Sequence, residues 1–129
     1  MSEPAKPALS TALEMQQRAA AVGFDWPDAQ GPRAKIVEEL AELDYAVRHD
    51  RASENPQSVK EELGDLLFAA VNYARHLGVE PEQALVAANE KFRRRFHYIE
   101  ERLADEGLHP VSASLEKMDT LWNEAKRNL

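Results

Sequence analysis

Apolar residues in this chain recur three and four positions apart, and nowhere do they alternate with polar ones for long. That is the helical period. A sheet protein needs a two-residue repeat to keep one face of each strand dry, and none is present. Ala, Leu and Glu are abundant while Val, Ile and Thr are sparse, so intrinsic preference points the same way.

Gly and Pro cut the pattern into five helical segments. The first runs from Ser10 to Val22 and stops at Gly23. An apolar loop, Phe24-Asp25-Trp26-Pro27, leads to Gly31-Pro32, where Pro suits the first turn of a second helix reaching about His49. The polar stretch Asp50 to Gln57 holds Pro56 and reads as a loop. Ser58-x-x-Glu61 then reads as a capping box for a third helix that continues to Leu77, ahead of Gly78. Pro81 opens a longer fourth helix to about Glu106, ended by Gly107, and Ser114 caps a fifth from Leu115 to Arg127. The expected architecture is all-α: a compact helical bundle of about five helices with a four-helix core.

The 129 residues fit a single domain, with residues 1–9 expected to be flexible. A net charge of −7 argues against binding polymeric nucleic acid, which requires a basic face. It leaves room for small polyphosphates held by a few placed cations and a metal. Cysteine is absent, which excludes disulfides, thiolate zinc sites and thiol nucleophiles. No apolar run is long enough for a membrane span, and MSEPAKPALS does not read as a signal peptide, so a cytoplasmic protein is expected.

Helical phase, at about 100° per residue, places the charges. In the second helix Ile36, Leu40, Leu43 and Val47 form an apolar stripe with Glu39 and Glu42 just off one side, while Glu38 points nearly opposite. In the third, Val59, Leu63, Leu66, Ala70 and Leu77 form the stripe, and Glu62 and Asp65 lie off its edge on the matching side. Ala46 and Ala69 follow each acid pair and leave room beside the carboxylates. A single Glu-rich face is ordinarily solvated surface. Two matched pairs on adjacent helices instead place four carboxylates around one point, which is costly without a cation. Oxygen-only ligands favour Mg²⁺ or Mn²⁺. A di-iron site would need Glu-x-x-His on its helices, and Glu106-x-x-His109 falls in an expected loop. His76 shares the acid flank but lies about 16 Å along the axis from Asp65, too far to be a ligand.

On the fourth helix Lys91 and Arg95 stand at i and i+4 beside a stripe of Leu85, Ala88, Phe92, Phe96, Ile99 and Leu103, with Asn89 on the stripe itself. On the fifth, Trp122 and Lys126 repeat that spacing. Surface ion pairs and a core indole account for these residues; a flat aromatic beside cations also suits a nucleotide. The third helix is apolar nearly all round from Leu66 to Val71, with Leu67 and Phe68 off its main stripe, which points to a homodimer.

Glu38-Glu39-Leu40-Ala41-Glu42 followed by Glu62-Leu63-Gly64-Asp65 resembles the EExxE…ExxD signature of the all-α nucleoside triphosphate pyrophosphohydrolases. Within that group the chain is similar to the MazG family, specifically the C-terminal catalytic domain of its two-domain form. The likeness extends through the runs Arg18–Trp26, Glu61–Phe68, Ala88–Phe96 and Leu121–Lys126. It implies Mg²⁺, with Mn²⁺ as a substitute, held by Glu39, Glu42, Glu62 and Asp65, and nucleotide contacts at Lys91, Arg95, Trp122 and Lys126. It also implies hydrolysis between the α- and β-phosphates of NTPs or dNTPs, giving monophosphate and pyrophosphate. Glu38, Glu39 and Glu42 are the candidates to take the water proton. Few of these contacts address a base, so broad substrate tolerance is expected. Narrower dUTP, dCTP or phosphoribosyl-ATP pyrophosphohydrolases, and a non-catalytic nucleotide-binding helical dimer, are the alternatives.

Overall fold

A computed structural model describes residues 6–49 and 56–129. Those residues form five α-helices and no strand: α1 (Ala8–Ala21), α2 (Gln30–His49), α3 (Pro56–His76), α4 (Pro81–Asp105) and α5 (Leu115–Asn128). A single 3-10 turn at Pro110–Ser112, capped by His109, lies ahead of α5 and was not expected from the sequence. The chain divides into two compact units, residues 1–84 and 85–129, with the division inside α4. No helix among the described residues is long and apolar enough to cross a membrane.

The expected helix ends hold to within a residue except at the starts of α1 and α3. Gly23, Gly78 and Gly107 all take positive φ, at 95°, 72° and 71°, the left-handed turn that closes a helix and that a side chain resists. Ser114 caps α5 by accepting the Lys117 N–H at 3.0 Å. Helix α3 begins at Pro56 and not at a capping Ser58. Proline has no N–H to lose and its φ is already helical, so it serves as a first helical residue and puts Ser58 inside the helix. Of the expected loop, residues 50–55 lie outside the described residues, as do residues 1–5 of the segment expected to be flexible; α1 takes in Ala8 and Leu9.

In the first unit α3 is the shared element, with α2 packed along it and α1 also against it. Here helical phase is only partly right about which face turns inward: Ile36 and Leu43 of the expected α2 stripe and Val59 and Leu66 of the α3 stripe are half-buried. The buried residues of α2 are Pro32, Glu39 and Ala46, spaced seven apart, while Leu40 and Val47 of the apolar stripe are each 48 % exposed. On α3, Ala69 and Val71 are buried, whereas Leu63, Leu67 and Phe68 are about half exposed. Val71 therefore belongs to the chain's own interior, and Leu67 and Phe68 face outward as expected. Ala46 of α2 and Ala69 of α3 are both buried, so small side chains take part in the interior of this unit.

The second unit packs in the ordinary amphipathic way. Ile99 and Leu103 of α4 close on Leu121 of α5, with Phe96, Met118 and Trp122 around them. Leu103 and Ala125 have no exposed surface. Tyr98 Oη donates to Glu124 Oε1 at 2.8 Å, tying the two helices at the edge of that core. The early part of the α4 stripe is bare: Leu85, Asn89 and Phe92 are all exposed, so Asn89 is not a core amide.

Candidate metal centre

Where α2 packs along α3, two carboxylates of α2 come against one of α3. Glu39, Glu42 and Glu62 offer oxygens that lie within 4.8 Å of one another, the one such group of potential metal ligands among the described residues. Glu39 is buried, Glu62 half-buried and Glu42 exposed, so the cluster opens to solvent on one side. Asp65, the fourth expected ligand, is exposed and lies outside this trio.

A cation fits the donor set. Glu39 Oε2 and Glu62 Oε2 are buried and accept no hydrogen bond. A carboxylate oxygen stripped of water with nothing donating to it is expensive, and the like charge of a third carboxylate beside these two compounds the cost. A hard divalent ion satisfies both demands, and an all-oxygen set suits Mg²⁺ or Mn²⁺ over softer metals.

Lys35, one turn before Glu39, answers part of that charge and was overlooked in the sequence. Its Nζ lies 3.2 Å from Glu39 Oε1 and 3.4 Å from Glu38 Oε1. The hydrogen bond to Glu39 raises the lysine pKa above its ordinary value, so the ammonium is held more firmly in the charged state. The i,i+4 spacing from Lys35 to Glu39 was a readable signal for this pair. Glu38 is exposed, and Lys35 is the cation beside it.

The expected nucleotide contacts belong to the second unit. Arg95 places its guanidinium carbon 5.4 Å from the centre of the Trp122 ring, a cation–π contact, and Phe92 tilts against the same indole at 5.6 Å. Lys91 and Lys126 are exposed. The structure thus brings Arg95 and Trp122 together and leaves both lysines at the surface.

Outside the carboxylates, the loop after α1 is tied to α3. Asp25 Oδ2 accepts from Arg75 Nη1 at 3.2 Å, and Asp25 Oδ1 faces His76 Nε2 at 2.9 Å. The Arg75 hydrogen bonds first, and His76 next, hold the Asp25 carboxyl well below the usual range. His76 is therefore engaged by Asp25, in keeping with its expected distance from the acid pairs.

Comparisons with known proteins converge on these elements. The chain is 46 % identical over 121 residues to a nucleoside triphosphate pyrophosphohydrolase of Escherichia coli K12, covering 94 % of this chain and 45 % of that protein. It is 44 % identical over 123 residues to the nucleoside triphosphate pyrophosphohydrolase/pyrophosphatase MazG of Thermotoga maritima, covering 95 % of this chain and 46 % of that protein. A stretch of 69 residues is 58 % identical to the uncharacterized protein YabN of Bacillus subtilis, 54 % of this chain and 14 % of that protein. The chain therefore spans about half the length of the first two. Residues 30–99 run from the first residue of α2 through α3 and most of α4, and so hold all the clustered carboxylates. They match the MazG nucleotide pyrophosphohydrolase domain, and the chain belongs to that family.

Proposed function

We propose that this chain is a divalent-cation-dependent nucleoside triphosphate pyrophosphohydrolase that cuts NTPs and dNTPs between the α- and β-phosphates. The observation that supports this most is the pair of buried, unpartnered oxygens of Glu39 and Glu62, which face a third carboxylate inside a MazG domain. Glu39, Glu42 and Glu62, with Asp65 as a fourth ligand, would hold Mg²⁺, or Mn²⁺ in its place. The bound ion supplies Lewis-acid polarisation of a phosphoryl oxygen and lowers the pKa of an attacking water.

The chain's own groups do the rest. Buried Glu39 is fixed by Lys35 and positions the cluster. Glu38, exposed and paired with the same lysine, and Glu39 and Glu42 within the cluster are the candidates to accept the water proton. Arg95, steadied on the Trp122 face, presents a guanidinium suited to phosphate oxygens, and Lys91 and Lys126 add mobile charge for the pyrophosphate that leaves. Trp122 acts here as a positioning residue for Arg95. The half-exposed Leu40, Val47, Leu63 and Leu67 support a second copy of the chain as a partner, since that much apolar surface is unusual on a soluble monomer.

Chromatography of ATP incubated with Mg²⁺ tests the reading. AMP and pyrophosphate as first products are expected. ADP and orthophosphate as first products, or no turnover of any common NTP or dNTP, would overturn it.

A further inference from the structure

Among the described residues Arg95 makes no hydrogen bond or ion pair; its contact is the Trp122 ring, 5.4 Å away. The guanidinium N–H groups are therefore open to an anion, and the indole sets where they stand. Arg95 belongs to α4 and Trp122 to α5, so the contact depends on how one helix lies on the other. The core between the two helices is apolar, Ile99 and Leu103 against Leu121. Apolar attraction is non-directional, and it holds rotation and slide only loosely.

A directed bond supplies what the core lacks. Tyr98 Oη donates to Glu124 Oε1 at 2.8 Å in a half-buried position. Tyr98 stands one turn after Arg95 on α4, and Glu124 two residues after Trp122 on α5, so the bond lies beside the cation–π pair. Its acceptor is charged, which strengthens it over a neutral pair. The same phenol oxygen accepts from Asn128 Nδ2 at 3.5 Å, and Arg102 Nη2 lies 3.9 Å from the same Glu124 oxygen. Tyr98 thus meets α5 at two residues. A second tie, from Lys117 to Glu106 at 3.0 Å, lies at the other end of α5 between well-exposed side chains, where an ion pair holds little. Desolvation offsets much of what the Tyr98 bond adds to stability. Direction is what it contributes.

We propose that Tyr98 and Glu124 are positioning residues, whose hydrogen bond fixes the rotation of α5 on α4 that sets the Trp122 ring against Arg95 and so holds the guanidinium for a phosphate group. Neither touches substrate. Loss of the bond therefore loosens one phosphate contact while the carboxylates and the two lysines are unaltered, and it acts on KM more than on kcat. The inference rests on the triphosphate hydrolysis proposed above and adds what holds its arginine in place.

Three substitutions and two readouts test it. Tyr98→Phe removes the donor at constant shape, Glu124→Leu removes the acceptor, and Glu124→Gln keeps an acceptor oxygen. Tyr98→Phe and Glu124→Leu should each raise KM for ATP about tenfold, the scale of one weakened charge-assisted bond, with kcat within about twofold. Glu124→Gln should stay within about threefold of the wild-type KM. The second readout needs neither metal nor nucleotide. In a Trp26→Phe background, which leaves Trp122 as the single indole, the near-ultraviolet circular dichroism of Trp122 in EDTA should weaken in Tyr98→Phe and Glu124→Leu and persist in Glu124→Gln. A lower melting temperature with KM and the Trp122 signal unchanged would overturn the proposal and leave a structural tie, as would a Glu124→Gln variant no better than Glu124→Leu. A protein that hydrolyses no triphosphate but shows this pattern in the Trp122 signal would keep the positioning and remove the hydrolysis.

Discussion

The α2–α3 pair and the α4–α5 pair both bury apolar residues, yet among the described residues only the first also buries a carboxylate. In the second, Ile99, Leu103 and Leu121 go inside, as hydrophobic patterning requires. In the first, Glu39 is 6 % exposed while its neighbour Leu40 is 48 % exposed. One pair is organised by apolar burial. The other also gathers the carboxylates of Glu39, Glu42 and Glu62, an arrangement that costs stability in isolation and makes sense as a cation site. A buried Glu39 beside a half-exposed Leu40 is the pattern that the proposed cation site accounts for.

Removing one carboxylate should separate the two kinds of helix pair most sharply. Glu39→Gln and Glu62→Gln keep side-chain volume and should each lower turnover by about 100-fold or more, as loss of a metal ligand does. In EDTA their thermal stability should equal or exceed that of the wild type, because repulsion among the three carboxylates is relieved. Steady-state pyrophosphate release and thermal melts on the same preparations check both halves. A marked destabilisation without metal would mean that these glutamates serve the fold.

The complementary change is apolar. Leu103→Ala should cost about 2–5 kcal/mol in urea unfolding, the range for a fully buried leucine. Leu40→Ala should cost far less in a single chain. If a second copy covers Leu40, its cost should instead grow with protein concentration, since stability is then shared with association. Unfolding at two protein concentrations distinguishes these cases.

Much of this was readable before any coordinates. Gly23, Gly78, Gly107 and Ser114 fixed helix ends through local backbone chemistry, and the i,i+3 acid pairs fixed which helices share the carboxylates. What escaped the sequence depended on tertiary choice. Phase alone ranks Leu40 above Glu39 for burial, because it counts side-chain hydrophobicity and knows nothing of which side of α2 the neighbouring α3 covers. Asp65 shares a helical edge with Glu62, but phase cannot say whether its exposed carboxylate joins the cluster. Asp25 and Arg75 are fifty residues apart and carry no shared pattern, so their tie had no local signature. Pro56 was misread because proline starts helices as readily as it breaks them.

The smallest expected effect concerns that loop tie. Asp25 has a lowered pKa in the folded chain, so its pairing with Arg75 and His76 stabilises fully above the unfolded carboxylate value of about 3.9 and is lost as pH falls through the folded value. Asp25→Asn should therefore be less stable than the wild type at neutral pH, by an amount that shrinks on acidification toward pH 3. Urea unfolding across that range reads the difference. A constant or growing gap would assign the residue another role.

The claim that the α2–α3 crossing exists to hold a cation is tested most directly by thermal unfolding under Mg²⁺ titration, with and without Glu62. An ion that binds only the folded state raises the melting temperature in proportion to its occupancy. The wild type should gain stability with saturating dependence on Mg²⁺, and Glu62→Gln should gain little over the same range. Equal shifts in the two proteins, or no shift in the wild type at millimolar Mg²⁺ and Mn²⁺, would contradict the account.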